Sequence, residues 1–385
     1  MENKLPVTAA QMAEQFFQLY GEAPESVWVA PGRVNLIGDH TDYQGGYALP
    51  IALPYATWVA ARRREDSMVH VATDYRQEHW SLTAQRRQDM IRGPRPLAGL
   101  AAFIAAVWEI LAVSRGADLW LATEIPVASG LSSSAALSLG LLATARDWQG
   151  VPASSSDLIH QAMQVENDYL GVDSGILDPM AIVLAQHDYA LWIDAGKEDA
   201  RPVAFDYAHD GQCLWVIDTH SPRTLASSGY QERVHETAEA CRRLEVCCLS
   251  QASLDEVEKI PDPVLRARGR HVVTENGRVL ETVEAAAQKH WDRVKQLFWE
   301  SHQSLRDDYG VSTPVLDATV ARLKELGVGA RLTGAGFGGS VIALGAWGDG
   351  AAIERELRAL YSEQGWDPPG IMPVDHPARG LHRAF

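Results

Sequence analysis

The sequence predicts an α+β protein of two domains, and three observations lead to this fold class. The 385 residues correspond to about two domains of roughly 150 residues each. Runs of β-like segments are followed by runs of helical segments, without the strict alternation of a doubly wound parallel sheet. The pattern starts again beyond a cluster of glycine, proline and charged residues at 195–210. We therefore divide the chain into an N-terminal domain, 1–205, and a C-terminal domain, 206–385.

Hydrophobic periodicity predicts the elements of the N-terminal domain in order. Apolar residues at helical spacing indicate helices, and short apolar or alternating stretches between glycine, proline and polar residues indicate strands. The predicted helices are Ala9–Tyr20, Leu97–Val113, Ser132–Trp148 and Asp157–Leu170. The predicted strands are Ser26–Ala30, Tyr47–Leu53, Thr57–Ala61, Met68–Thr73, Asp118–Glu124 and Tyr189–Asp194.

The same patterns recur in the C-terminal domain. The predicted helices are Arg233–Leu244, Val264–Gln288 and Pro314–Leu326. The predicted strands are Cys213–Asp218, Gly329–Leu332 and Ser340–Leu344. The last two strands enclose a short run of glycines, so we expect a turn between them.

Composition excludes several classes of protein. The formal net charge of −16 argues against a protein that coats nucleic acid or an anionic membrane, since basic side chains carry such binding. The most apolar window, Leu97–Val113, is interrupted by Glu109 and is shorter than the roughly 20 residues that a bilayer requires. The N-terminal residues resemble neither a signal peptide nor a membrane anchor.

Cysteine usage bears on the cellular compartment. The four cysteines have neither zinc-site nor disulfide-framework spacing, and they are Cys213, Cys241, Cys247 and Cys248. So few thiols in a chain of this length are typical of a reduced intracellular protein. We expect a cytoplasmic location.

The first polar cluster, residues 30–43, follows the first predicted strand and reads APGRVNLIGDHTDY. It gathers arginine, asparagine, aspartate, histidine and tyrosine in a segment interrupted by glycines. A polar turn, in which Asp and Asn side chains bond their own backbone, is the structural alternative. The residues alone leave both interpretations open.

The second cluster, residues 126–137, lies between a predicted strand and a helix and reads PVASGLSSSAAL. A glycine turn before a helix N-terminus exposes unpaired backbone N–H groups at the positive end of the helix dipole, which suits a phosphate. Ser132 or Ser133 is alternatively an ordinary N-cap. One serine would be sufficient for a cap, so three in succession favour anion or metal binding. The chain contains no Walker A sequence, so nucleotide binding here would not be of the P-loop kind.

The third cluster, Thr333–Gly339, matches the G-x-G-x-x-G pattern of dinucleotide-binding folds. Those folds require a helix to begin on the glycine loop, whereas Ser340–Leu344 is β-like. We therefore predict a glycine-rich turn between two strands. Such a turn either has only the structural role of a tight hairpin or brings the backbone close to a ligand.

Two carboxylates, Glu166 and Asp178, are separated by a helix end and a glycine turn. They could converge on one site as metal ligand and general base. Asp178 followed by Pro179 is also the pattern of a helix start, with Asp as the cap. On the residues alone we favour the cap.

Taken in this order, the three clusters resemble the signatures of the GHMP small-molecule kinases, and GRVNLIGDHTDY is similar to the galactokinase signature in particular. The resemblance extends over nearly the whole chain, and three ordered motifs are more specific than any one of them. Further segments that resemble galactokinases are SGILDPMAIVLAQHDYALWID, RTLASSGYQERVHETAEAC, HVVTENGRVL and SHQSLRDDYGVSTPVLD.

The resemblance implies a two-lobed fold with mixed or antiparallel sheets and an active site between the lobes. It implies transfer of the γ-phosphoryl group of ATP to the anomeric hydroxyl of galactose, giving α-galactose 1-phosphate. The family's base falls on Asp178, which ends SGILD, and the neighbouring arginine on Arg33. The family's Mg²⁺ ligands fall on Ser134 and Glu166. Arg33 beside Asp178 is expected to keep that carboxylate ionised.

The resemblance also assigns the binding residues. The expected sugar ligands are Asp39, His40, Asp42, Gly175 and Tyr230. The expected nucleotide-binding residues are Gly130, Leu131, Ser132, Ser133, Ser134, Ala135, Gly334, Gly336 and Gly338. Phosphoryl transfer needs mainly positioning and charge neutralisation from a protein, which this set of groups is suited to supply.

The sequence departs from the galactokinase pattern mainly near the sugar. Asp39 stands where Glu is usual, and the shorter side chain changes the contact expected at the sugar C6 hydroxyl. Gln44 replaces a usual Asn, Pro179 a usual Gln, and Gly229 a common Glu. On the nucleotide side, Leu100 and Phe103 stand in place of a usual Trp-x-x-Tyr pair, so we expect a weaker adenine contact.

Two alternatives to galactose phosphorylation follow from these departures. One is a kinase for another sugar, such as N-acetylgalactosamine, arabinose or a C6-modified galactose. The other is a non-catalytic sugar sensor with the same fold. Such a sensor is expected to have lost part of the catalytic set, whereas this chain retains Arg33, Ser134, Glu166 and Asp178.

Overall fold

The computed structural model describes residues 7–75, 77–126, 129–150, 154–172, 174–221 and 226–385. Its helices, numbered in chain order, are α1 (Ala9–Tyr20), α2 (Ala84–Arg92), α3 (Leu100–Ile110), α4 (Ser133–Gln149), α5 (Ser155–Gln164), α6 (Leu177–Leu184), α7 (Ala226–Leu244), α8 (Leu254–Val257), α9 (Pro263–Ala287), α10 (Trp291–Asp307), α11 (Pro314–Glu325) and α12 (Gly350–Gln364). A π-helical turn, Val165–Tyr169, continues α5.

The strands form three sheets. They are β1 (Ser26–Asn35), β2 (Tyr47–Ala48), β3 (Pro50–Arg63), β4 (Val69–Thr73), β5 (Glu78–Leu82), β6 (Ala117–Thr123), β7 (Tyr189–Asp194), β8 (Asp199–Ala204), β9 (Gln212–Asp218), β10 (Gly329–Thr333), β11 (Ser340–Ala346), β12 (Gly370–Val374) and β13 (His382–Arg383). The sheet orders are β13-β1-β3-β6-β4-β5, β2-β7-β8 and β10-β11-β9-β12. Only β4 and β6 pair in parallel among the described strands. The predicted α+β class with mixed and antiparallel sheets is confirmed.

Two strands are longer than their sequence patterns indicate, and β1 continues to Asn35 rather than ending at Ala30. Pro54 separates the predicted strands Tyr47–Leu53 and Thr57–Ala61, because proline cannot donate a ladder hydrogen bond. The structure instead contains a short β2 and a continuous 14-residue β3 that passes through Pro54. The pairing register of β1 with β3 shifts between Pro31 and Arg33. Such a bulge leaves Pro54 outside the ladder and places Arg33 of the first polar cluster just after the irregularity.

The chain end returns to the first sheet. β13 pairs with β1 through Trp28 and Arg383, although it lies at the end of the second half of the sequence. The division into domains at residue 205 stays a prediction. No helix in the described part of the chain is both long and apolar enough to cross a membrane.

Two large cores share β9. Leu214 and Val216 belong to the main core, which also contains residues of α3, α4 and the six-stranded sheet. Trp215 and Ile217 face a second core that includes residues of α11 and α12. Alternate residues of a strand point to opposite faces, so β9 is buried on both sides. It thereby ties the two halves of the chain together.

Candidate active site

The predicted base and the predicted arginine are in direct contact. Arg33 lies on β1 just after the bulge and is 8% exposed. Its Nε donates a 2.7 Å hydrogen bond to Oδ1 of Asp178, and its Nη2 donates to the same oxygen. Its Nη1 donates to the carbonyl oxygen of Gly130 at 2.8 Å. A side chain from the first sheet thus joins α6 to the glycine-serine loop.

Asp178 does not cap a helix. It lies in the first turn of α6, but Ile176 occupies the N-cap position and no side chain caps there. The capping prediction is wrong because Arg33 and Ser132 draw the carboxylate away from the backbone of its own helix. The Asp178 side chain keeps 27% of its surface exposed. It can therefore contact a bound molecule while Arg33 and Ser132 fix its position.

The serine run begins α4 as predicted, but its first serine has an unusual conformation. Ser132 occupies the N-cap position with φ 60° and ψ 40°, and its side chain makes no capping hydrogen bond. Its hydroxyl donates instead to Oδ2 of Asp178. The ordinary N-cap interpretation is therefore wrong for Ser132. Ser133 and Ser134 start the helix, beside the N–H groups at its positive end.

Ser134 and Glu166, the expected metal ligands, form a hydrogen bond of 2.7 Å from Oγ to Oε1. Glu166 is 3% exposed in the π-helical turn. Burial raises its pKa, and hydrogen bonds from Ser134 and Ser174 oppose this rise. None of the described lysine or arginine side chains forms an ion pair with it. A buried carboxylate beside a hydroxyl is a hard oxygen donor set that fits Mg²⁺, which takes its other ligands from phosphate and water.

Asp39 is held by groups from the C-terminal half of the chain. Its Oδ1 accepts a 3.0 Å hydrogen bond from the backbone N–H of Gly334, and its Oδ2 lies 2.6 Å from Nη2 of Arg331. Burial raises the pKa of Asp39, and Arg331 opposes the rise. Its carboxylate therefore joins the first polar cluster to the third.

Both ring nitrogens of His40 have protein partners. Nε2 lies 3.1 Å from the carbonyl oxygen of Ala335, and Nδ1 lies 2.9 Å from the Tyr43 hydroxyl. Burial lowers the pKa of His40 to about 3, so the ring is neutral at physiological pH. Because a carbonyl only accepts, we assign the proton to Nε2. Tyr43 then donates to Nδ1, and Tyr309, 2.6 Å from Tyr43, donates to Tyr43.

Asp42 and Gly175 lie against each other. A Cβ on Gly175 would come within 2.3 Å of Oδ2 of Asp42, so any side chain at 175 would displace that carboxylate. Burial raises the pKa of Asp42 to about 6, and the nearby Asp178 and Asp39 add to the rise. The Tyr230 ring completes this region, with its centroid 5.7 Å from that of His40 and 5.4 Å from that of Tyr43.

The third cluster forms the predicted turn between antiparallel strands, with Thr333 opposite Ser340. Its glycines Gly334, Gly336 and Gly338 have φ values of 80°, 72° and 120°, a region that glycine adopts without steric cost. The loop meets the serine loop directly, since Ser340 Oγ donates to the carbonyl oxygen of Ser129 at 2.8 Å. The structure thus brings all three predicted clusters into one region.

Several site residues were missed by sequence reasoning. Arg331 is fully buried and contacts Asp39. His271 places Nε2 3.1 Å from the backbone oxygen of Asp39, and Glu275 accepts from the backbone N–H of Gly38 at 3.0 Å. For Arg331 a signal was present, because a charged residue inside a short apolar strand needs a buried partner. His271 and Glu275 lie in a charge-rich helix and gave no such signal. Their partners, distant in sequence, could not be deduced.

Gln44, a departure from the family pattern, has a structural role. Its Nε2 donates to Thr237 Oγ1 at 3.0 Å. Its Oε1 accepts from the backbone N–H of Leu249 and from Cys241 Sγ, both at 3.2 Å. This amide therefore fastens the first polar cluster to α7 and the turn after it. Leu100 and Phe103, the departures expected on the nucleotide side, pack against the main core.

Comparison with known proteins agrees with this arrangement. The galactokinase galactose-binding signature matches residues 14–63, the GHMP kinase N-terminal domain matches residues 100–186, and the GHMP kinase C-terminal domain matches residues 282–363. The three matches follow the order of the three clusters. They include Arg33, Ser134 and Gly334 respectively.

Curated relatives match over almost their full length. The chain is 37% identical over 365 residues to a galactokinase of Roseiflexus sp. (strain RS-1), covering 92% of each chain. It is 35% identical over 382 residues to a galactokinase of Lactococcus lactis subsp. lactis (strain IL1403), covering 94% of this chain and 93% of that one. It is 34% identical to a galactokinase of Streptomyces coelicolor, covering 97% and 98%.

Solved structures share the fold. The crystal structure of Lactococcus lactis galactokinase complexed with galactose superposes with a TM-score of 0.89 at 31% identity, covering 97% of this chain and 99% of that one. A mevalonate kinase structure superposes with a TM-score of 0.64 at 18% identity, covering 93% and 98%, which supports the fold alone. By its sequence and its fold, the chain belongs to the galactokinase family of the GHMP kinases.

Proposed function

We propose that this enzyme transfers the γ-phosphoryl group of ATP to the anomeric hydroxyl of galactose. The observation that carries the proposal is the meeting of Arg33, Asp178 and the start of α4 in one place. Asp42, an expected sugar ligand, is near enough to Asp178 to feel its charge, and Ser134 in the first turn of α4 bonds Glu166. An acceptor hydroxyl and a terminal phosphate could therefore approach Asp178 together.

In the proposed reaction, Asp178 accepts the proton of the anomeric hydroxyl. An anomeric hydroxyl is more acidic than an ordinary alcohol, so a carboxylate is a sufficient base. A lone pair of that oxygen forms the new bond to the γ-phosphorus. The bond between phosphorus and the β,γ-bridging oxygen breaks, and its electron pair leaves with ADP. Arg33 and the backbone N–H groups at the start of α4 offset negative charge as it develops.

The nucleotide would lie beside the serine loop and the glycine turn, which meet through Ser340 and Ser129. The proposed contacts are made by Gly130, Leu131, Ser132, Ser133, Ser134, Ala135, Gly334, Gly336 and Gly338. Ser134 and Glu166 would hold Mg²⁺, which, when bound with ATP, supplies charge neutralisation to the phosphates. The burial of Glu166 and its hydrogen bond from Ser134 support this assignment.

The sugar would lie against the first cluster. Asp42, beside Gly175, would accept hydrogen bonds from sugar hydroxyls, and Tyr230 would border the same space. Arg331 and Ala335 already contact Asp39 and His40. These two side chains would therefore offer the sugar only the hydrogen-bonding capacity that their protein partners do not use. The four free cysteines support the further proposal that the enzyme works in a reducing, cytoplasmic compartment.

A coupled assay of ADP release over a panel of sugars tests the proposal. We expect galactose to be the preferred acceptor, and phosphorus NMR of the product to identify α-galactose 1-phosphate. The panel includes N-acetylgalactosamine, arabinose and C6-modified galactose. Preference for one of these would correct the substrate. If no sugar in the panel causes ADP release, the kinase assignment is overturned in favour of a sugar sensor.

A further inference from the structure

The two carboxylate oxygens of Asp178 are not equivalent. Oδ1 accepts hydrogen bonds from both Nε and Nη2 of Arg33. A carboxylate oxygen has about two lone pairs available for hydrogen bonds. Arg33 therefore occupies Oδ1 fully, and a proton from the substrate has to go to Oδ2.

Among the described residues, the side chain that contacts Oδ2 is Ser132, whose hydroxyl donates to it. This bond uses one lone pair of Oδ2 and leaves the other for the substrate. Ser132 approaches from the start of α4, whereas Arg33 approaches from β1. The two contacts together fix the plane of the carboxylate, because each oxygen is held from a different element.

The backbone at Ser132 is unfavourable for a serine in two respects. A residue other than glycine with φ near 60° is sterically strained. An N-cap serine ordinarily recovers stability by accepting a hydrogen bond from the first turn, but Ser132 makes no such bond. Glycine would remove the strain, so the hydroxyl is the feature that explains serine at this position. Strained residues of this kind cluster at functional sites.

We propose that Ser132 is a positioning residue that holds Oδ2 of Asp178 ready to take the proton of the sugar hydroxyl. This role differs from the phosphate contact that the family resemblance assigns to the serine loop. It rests on the proposed function, because it requires Asp178 to act as the base. The nucleotide contact proposed above for Ser132 would use its backbone N–H group. Its hydroxyl therefore acts on turnover and not on the binding of ATP or sugar.

The test compares Ser132→Ala and Ser132→Gly with Ser138→Ala as the matched control. Ser138 lies on the same helix, and its buried hydroxyl has no hydrogen-bond partner. Both Ser132 variants are expected to lower kcat at least about tenfold, as for loss of a hydrogen bond to a charged group. The KM values for ATP and galactose should stay within about twofold of wild type. Ser138→Ala should behave as wild type.

The two Ser132 variants separate a positioning role from a structural one. Ser132→Gly relieves the backbone strain, so we expect its thermal midpoint to equal or exceed that of wild type. Wild-type turnover in Ser132→Gly would overturn the inference, because the hydroxyl would be dispensable. A raised KM for ATP with unchanged kcat would also overturn it, in favour of a phosphate contact. Wild-type protein inactive on every sugar would instead overturn the proposed function itself.

Discussion

Asp178 is held by side chains that lie far from it in the sequence, and its chemistry depends on both. Arg33 is 145 positions away and Ser132 is 46 positions away. The Asp-Pro pair indicates only a helix start. Nothing local to residue 178 shows that the carboxylate leaves its own helix. The family resemblance supplied the role of Asp178, and the geometry supplies a physical reason for it.

Replacing the proposed base should abolish turnover and leave binding intact. Asp178→Asn keeps the shape of the side chain but cannot accept the proton. We expect kcat to fall at least about a hundredfold, the lower end for loss of a general base, with ATP binding nearly unchanged by calorimetry. Asp168→Asn is the matched control, because Asp168 is an exposed carboxylate in the same part of the chain. Near-normal turnover of Asp178→Asn would remove Asp178 from the mechanism.

Asp42 should make sugar binding dependent on pH. Burial, with Asp178 and Asp39 nearby, raises its pKa to about 6, and a sugar hydroxyl donates more strongly to the ionised form. The KM for galactose should therefore rise as the pH falls through about 6, while the KM for ATP stays constant. Asp42→Asn should show a high KM for galactose that no longer changes over this range. A wild-type KM that is flat from pH 5 to 7 would contradict this role.

The ionisation of Asp42 that strengthens sugar binding as the pH rises should lower the stability of the unliganded protein. A carboxyl group whose pKa is raised in the folded state stabilises the fold below its unfolded pKa, and this contribution is lost as the pH rises through about 6. Asp42→Asn should thus raise the thermal midpoint above pH 6 while weakening sugar binding. The carboxylate is retained at a cost in stability, as expected of a binding group.

At the scale of elements, segments rich in apolar residues could be predicted, and some charge-rich ones were missed. α1 and β7 have the predicted bounds, since each shows one clear period between breakers. α10 and α12 were missed because charged residues dominate their exposed faces. The glycine turn was predicted correctly for a physical reason, because the β-like segment after it left no helix to begin there.

The glycine turn should tolerate no side chain at Gly336. A Cβ there would lie 2.4 Å from the carbonyl oxygen of Val311, and φ is 72°. Gly336→Ala should shift the turn and reduce kcat/KM at least about tenfold, because small misplacements at an active site are costly. Gly365→Ala is the matched control, since Gly365 has φ 69° but open space around it. It should cost about 1 kcal/mol of stability and leave activity unchanged. Full activity of Gly336→Ala would contradict the assigned place of the turn.

At the scale of the whole molecule, a buried ionic network joins the first polar cluster to the C-terminal half. Arg331 contacts Asp39 and lies 3.8 Å from Glu275. Glu275 also accepts from Nε of Arg278 at 2.7 Å and from Ser301 at 2.6 Å. Burial by itself would raise the pKa of Glu275, but Arg278, His271 and Arg331 lower it to about 2. The network fixes the position of the Gly38 backbone through Glu275 and of the Asp39 side chain through Arg331.

Removing one charge from this network should destabilise the fold. Glu275→Gln leaves Arg278 without its buried counter-charge while Arg331 keeps Asp39, and breaking a buried pair costs about 3 kcal/mol or more. Denaturant unfolding at pH 7 measures the loss. Glu281→Gln, on the same helix, breaks a half-exposed pair with Arg293 and should cost less than about 1 kcal/mol. Equal effects of the two variants would contradict the proposed importance of the buried network.

The Glu275 contribution also has a defined pH dependence. A carboxyl group whose pKa is lowered in the folded state stabilises the protein above its unfolded pKa, and the stabilisation is lost as the pH falls toward about 2. The stability difference between wild type and Glu275→Gln should therefore be constant from pH 8 to 6 and should shrink only in acid. A difference that already disappears near pH 6 would indicate another titrating group.

A crystal structure with galactose and a nonhydrolysable ATP analogue would show whether one sugar oxygen and one terminal phosphate meet at Asp178. We expect the anomeric oxygen about 2.6–3.2 Å from Oδ2 of Asp178, with the γ-phosphate between that oxygen and the start of α4. A sugar bound with its anomeric oxygen away from Asp178, or a nucleotide outside the serine loop, would contradict the account.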